Sequence, residues 1–184
     1  MRVNIVIFGI GVLIAAPTWA QDVSYHCPAP GTVIETSRGG RMTFGDSDGL
    51  LCTIVTRNGK TFHEFAGLVG RQGKIWKQNS EAVAALWPLR AGNSANVQVE
   101  QDNIVLSYRY EVRGPERLTV PAGTFDTWVI DKTLVTTAMG YRPFHDHDTF
   151  WWSPAVGFVI RFEHEQANQT PENHSWEATS VKQP

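Results

Sequence analysis

The chain has 184 residues, 42% hydrophobic, 18% charged and 11% aromatic, which is enough for one core and short of two comfortable domains. Its formal charge of -2, from 16 Lys+Arg against 18 Asp+Glu, provides no field that would steer it to nucleic acid or anionic lipid. Sixteen Gly and ten Pro spread along the chain suit turns between strands and exclude a coiled coil, a collagen and a polytopic membrane protein.

The N-terminus reads as an export signal. Arg2 supplies a positive start, Ile5 to Ala16 is an apolar run, Pro17 breaks it, and Thr18-Trp19-Ala20 places small residues where a signal peptidase reads. Cleavage is expected after Ala20. The run of about 12 residues is short of the roughly 20 needed to span a bilayer as a helix. The expected compartment is the periplasm, with no membrane span in the mature chain.

Two cysteines follow, Cys27 and Cys52. In an oxidising compartment an even pair most simply forms a disulfide, which would tie the segment from Gln21 to Pro30 onto the first strands. Two free thiols or a metal pair are the alternative. With no C-x-x-C, a redox enzyme is disfavoured.

Beyond the cysteines, apolar and polar residues alternate. Ile104, Leu106, Tyr108, Tyr110 and Val112 point one way, and Ser107, Arg109, Glu111 and Arg113 the other. Phe158, Ile160 and Phe162 repeat the pattern. A period of two predicts strands with one buried face. The other predicted strands are 32–37, 41–44, 50–57, 60–69, 96–101, 116–120, 124–135, 147–152 and 175–181. Asn58-Gly59 between two of them predicts a type I′ hairpin, and Arg38-Gly39-Gly40, Gly114-Pro115 and Pro121-Ala122-Gly123 predict further turns. One short helix is expected, capped by Ser80, running from Glu81 to Trp87 and ended by Pro88. The predicted fold is all-β: a single, strongly curved antiparallel sheet, a half-barrel or open barrel with at most one short helix, forming one domain over 21–184.

Three segments, Leu86-Trp87-Pro88-Leu89-Arg90-Ala91-Gly92, Val120-Pro121-Ala122-Gly123-Thr124-Phe125 and Trp152-Ser153-Pro154-Ala155-Val156-Gly157-Phe158-Val159-Ile160-Arg161, occur in this order. Together they resemble a broad group of exported bacterial β-sheet proteins of unknown function that share a PLR-x-G, V-PAGTF and W-(S/A)P-x-VG-hh-R pattern. The resemblance covers roughly residues 86–163. It implies a curved antiparallel sheet in the periplasm or on the envelope, and it carries no catalytic residues over. The motif residues themselves read as architecture: Pro121 presets one φ and Gly123 can take a positive one.

Chemistry-bearing residues are few. His145 and His147 would share one strand face and could hold Zn²⁺ or Cu²⁺ if a third ligand, such as His63, His164 or Glu163, came from elsewhere. A polar loop entering an aromatic strand is the simpler explanation. Asp46-Ser47-Asp48-Gly49 opens like a calcium loop but lacks its later ligands. Glu163 and Glu165 share a face, as paired carboxylates of glycosidases do, and also as ordinary solvent-facing charges do. No nucleophile elbow, zinc-protease helix or phosphate loop occurs, and no cofactor is expected. Trp151 and Trp152 are adjacent and must face opposite sides of a strand. The leading expectation is therefore a non-enzymatic protein that holds an apolar ligand or an envelope partner on an aromatic face including Tyr108, Trp128, Trp151, Trp152 and Phe158. The alternative is a periplasmic metal-binding protein using His145 and His147.

Overall fold

The computed structural model describes residues 23–70, 76–101, 104–137, 146–166 and 174–184. The expected signal and its cleavage point lie outside the described residues. In chain order the elements are β1 (Val33–Thr36), β2 (Arg41–Phe44), β3 (Cys52–Thr56), β4 (Thr61–Phe65), β5 (Val69–Gly70), α1 (Trp76–Ala84), β6 (Ser94–Gln101), β7 (Ile104–Val120), β8 (Gly123–Thr137), β9 (Asp146–Ser153), β10 (Phe158–Gln166) and β11 (Trp176–Lys182). All strands join one open sheet in the order β5-β4-β3-β2-β1-β11-β10-β9-β8-β7-β6, with antiparallel neighbours throughout. The fold class is the one the alternation predicts. The C-terminal β11 lies between β1 and β10 and so joins an arm of short strands to an arm of long ones.

The sheet curls until its two edges approach. Helix α1 connects the edge strands β5 and β6 and packs on both. From β7, the Tyr110 hydroxyl donates to the Leu68 carbonyl beside β5 at 3.1 Å. Cross-strand register sorts the two faces. Val112, Ile130, Phe150 and Phe162 make one inward row, and Tyr110, Lys132, Asp148 and His164 make the next. Glu111, Asp131, Thr149 and Glu163 make an outward row.

The concavity at the level of Trp152 is filled by the protein itself. Trp152 is fully buried, with the Trp87 ring 5.4 Å from it and the His26 ring 6.2 Å. Val83, Leu86 and Leu89, from α1 and the segment after it, are buried in the same core. The segment before β1 is pinned at both ends of this cluster. Cys27 and Cys52 form the expected disulfide, with a Cα–Cα separation of 5.4 Å. Tyr25 stacks on Phe65 at 4.4 Å, donates its hydroxyl to Leu50 O at 2.7 Å and accepts from Ala66 N. Burial pushes its phenol up to about 12. His26 Nε2 lies 2.8 Å from Pro154 O.

Three local expectations are corrected. Asn58 keeps a negative φ, and the 56–60 hairpin has a three-residue loop in which only Gly59 is left-handed (φ 76°). Gly59 N donates to Thr56 O and Thr56 N to Lys60 O, the pattern of a type I turn completed by a glycine bulge. Gly114-Pro115 does not end a strand. It lies inside β7, where a bulge between Val112 and Gly114 absorbs the proline that a regular ladder would exclude. The helix starts at Trp76, so Ser80 lies within it and donates back to Trp76 O at 2.9 Å. One turn of this helix also covers the edge of β6: the Asn79 amide donates to Gln98 O and accepts from Gln98 N.

Candidate functional site

Where the short arm folds toward the long one, packing is incomplete. A cavity of about 300 Å³ remains between them. The short arm contributes Thr36, Gly40, Met42, Glu64 and Gly67, and the other wall consists of Phe150, Phe158, Phe162 and Trp176. The aromatic wall follows from register. Phe150 and Phe162 are directly opposed across β9 and β10, and Phe162 is opposed to Trp176 across β10 and β11. Their rings lie 5.1 and 6.5 Å apart. Phe158 closes one end, edge-on to Phe44 at 4.8 Å. Gly67, left-handed at φ 77°, lets the chain pass against it: a Cβ there would come within 2.9 Å of the Phe158 ring. A more open recess of about 540 Å³ adjoins the cavity, sharing Gly40 and Met42 and rimmed by Arg41, Arg57 and Lys60 at the hairpin tips.

Among the described residues Glu64 is the charged group of the cavity. Register places it opposite Cys52 on one side and Gly70 on the other, so neither neighbouring strand offers it a donor side chain. Among the described residues its carboxyl is paired with no hydrogen-bond donor or cation. Burial pushes that carboxyl up to about 7, because the ionised form loses water and gains nothing in return.

The residues expected from the sequence fall in different places. Phe158 lines the cavity. Trp128 and Trp152, opposed across β8 and β9, belong to the filled core. Tyr108 lies further along β7, with the Lys132 ammonium 4.3 Å from its ring centroid. Trp151 is on the convex face, as its adjacency to Trp152 requires, beneath the Arg161 guanidinium at 4.9 Å. His147 is also convex. Its Nε2 lies 3.3 Å from Asp131 Oδ1 and its Nδ1 3.7 Å from Glu165 Oε2. His145 lies outside the described residues, and no group of three His, Cys, Asp or Glu among the described residues is placed to hold a metal ion. His164 is on the opposite face from His147, paired across β9 and β10 with Asp148. Glu163 pairs with Arg161, while Glu165 faces His147 across the strands.

A second polar group lies on the concave face. Asp148 accepts from Lys132 Nζ at 2.8 Å, and His164 Nδ1 lies 2.6 Å from its other oxygen. The row across β8, β9 and β10 fixes the imidazole and compensates the buried carboxylate. Burial, and next the charge of Asp148, push the Tyr110 phenol upward.

Sequence reasoning did not single out Glu64. Alternation over 61–65 puts Phe62 and Glu64 on one face, but the buried Phe65 has the other parity, so periodicity alone does not select Glu64 as inward.

No protein-family model matches the chain, and no curated protein sequence does. Solved structures with some likeness include the hypothetical lipoprotein YmcC from Escherichia coli K12, at 14% identity and a TM-score of 0.47 over 82% of this chain and 78% of that one. A Bacteroides fragilis NCTC 9343 protein described as exported, with a YmcC-like fold, is 11% identical with a TM-score of 0.47, over 88% of this chain and all of its own. A Parabacteroides distasonis ATCC 8503 protein described as a lipoprotein is 15% identical with a TM-score of 0.44, again over 88% of this chain and all of its own.

Proposed function

We propose that the protein is an exported, non-enzymatic carrier that holds a small, mostly apolar molecule in the cavity between its two arms. The observation that carries this reading is the cavity itself. Its volume of about 300 Å³ is at the lower end of ligand sites, and its walls combine four aromatic rings with one carboxyl. Elsewhere the concave face is closed by Trp87, Trp152 and the segment before β1. The apolar run from Ile5 to Ala16 supports delivery to the periplasm, where a carrier would meet its ligand.

The test is native mass spectrometry of the mature protein, purified gently from its own periplasm, beside a Met42→Trp variant. Met42 is partly buried and lines both recesses, so a larger side chain there fills space without entering the core. A reproducible extra mass on the parent that is missing from a normally folded variant is the expected result. Equal bare masses for both, or the same adduct on both, would remove the cavity as the binding site.

A further inference from the structure

We propose that Glu64 makes this cavity selective for small apolar molecules carrying a protonated amine. The inference rests on the reading of the cavity as a ligand site and names the class of ligand. Its first support is composition. Thr36, Gly40, Met42, Gly67 and the four aromatic residues bring no titratable or charged group, so among the described residues Glu64 alone sets the charge of the lining. The strands on either side add none, because Cys52 is in the disulfide and Gly70 has no side chain. A carboxylate held there without a partner loses hydration that no described residue returns. An ammonium group placed against it restores a charge-assisted hydrogen bond in a poorly hydrated setting, where such bonds are strong. The aromatic wall adds a second attraction, since an alkylammonium is drawn to the faces of Phe and Trp rings. An alcohol could donate to the carboxylate but would bring no positive charge to neutralise it, and a carboxylate would be repelled.

The neighbouring recess suggests the rival. Arg57 and Lys60 are exposed at its rim, and Arg41 pairs with Glu35 at 3.3 Å. If these residues chose the head group, an anionic amphiphile would bind better than an amine. Burial also holds the Glu64 carboxyl near 7, so amine affinity should rise with pH from below that value to above it.

The experiment is isothermal titration of the disulfide-intact mature protein with octylamine, octan-1-ol and octanoate, at pH 8 and pH 5.5, with Glu64→Gln beside the parent. At pH 8 the amine should bind about tenfold tighter than the alcohol, the worth of one charge-assisted hydrogen bond, with octanoate weakest. Glu64→Gln should erase that advantage and change the alcohol far less. In the parent, lowering the pH to 5.5 should weaken the amine by about tenfold, as protonation of one carboxyl requires. Should the variant fail to fold, the parent's pH series decides alone. Octanoate binding best, or an amine affinity indifferent to both pH and Glu64, would overturn the proposal and leave the cavity as a site. Binding of none of the three would overturn both.

Discussion

Strands β7 and β8, 17 and 15 residues long, pair along nearly their whole length, whereas β1 to β4 have four or five residues each and β5 has two. The long arm needs little beyond its own ladders and the ring contacts of Phe150 with Tyr110 and Phe162. The short arm is held from outside: by the Cys27–Cys52 disulfide, by the Tyr25 hydroxyl linking Leu50 to Ala66, by β11 along β1, and by the Tyr110 bond to Leu68. Cavity and unpaired carboxyl both lie where the two meet. A well-packed sheet provides the wall, and a separately tethered flap provides the groups that would choose a ligand.

The two arms share one core at Trp152, against Trp87 and the segment before β1. Trp152→Ala should cost about 4 kcal/mol, the usual loss for a fully buried large aromatic, and should lower stability everywhere at once. Urea denaturation followed by tryptophan fluorescence and by far-ultraviolet circular dichroism checks this. Coincident transitions shifted to lower urea are expected, and a change confined to one arm would mean that Trp152 is not the shared keystone.

The disulfide separates the arms. Its cysteines are 25 positions apart, which on the chain-entropy account stabilises by about 3.5 kcal/mol. Cys27→Ala/Cys52→Ala should therefore lower global stability by that order. Its more specific signature is local. Amide exchange in β3 and β4 should accelerate more than in β7 and β8, because those ladders never relied on the staple. Uniform acceleration would erase the distinction between a self-sufficient arm and a tethered one.

How much of this was legible in the sequence depends on the range of the forces involved. The long arm is readable where one strand face is buried and the other exposed, as from Tyr108 to Val112, although burial is continuous at Thr127–Ile130 and Val156–Ile160, where the strands cross the core. The disulfide was readable from compartment and parity. Local alternatives defeated the turn and cap readings: Asn58-Gly59 suits more than one hairpin, and Ser80 satisfies itself inside the helix by bonding to Trp76 O. Gly114-Pro115 looked like a break because a bulge needs a partner strand before it can be recognised. The aromatic residues stand out as a set, yet only contacts between distant segments decide which are core. Trp152 is covered by residues 65 and 126 positions away in sequence, Trp87 and His26, and no periodicity reports that. Glu64 was overlooked for the same reason, since its inward position has meaning only once the opposite wall is known.

The last prediction reverses the usual sign of a core substitution. The folded Glu64 carboxyl, pushed up to about 7, lies above its ordinary value of 4.5. Between these values the native state keeps a proton that the unfolded state has lost, so stability falls as pH rises through the interval. Above about pH 7 the full cost of the ionised group is present, and below about 4.5 it is absent. Glu64→Gln should thus stabilise the protein at pH 8 by roughly 1–2 kcal/mol, allowing for the partial access of the carboxyl to solvent, and leave stability at pH 4 almost unchanged. Thermal unfolding of parent and variant across that range measures it. A parent curve already flat between pH 4.5 and 8 would mean that the carboxyl has found a partner. A variant that is more stable but binds less would instead show that the short arm keeps this carboxylate at the expense of its own stability, the pattern expected of a group retained for binding.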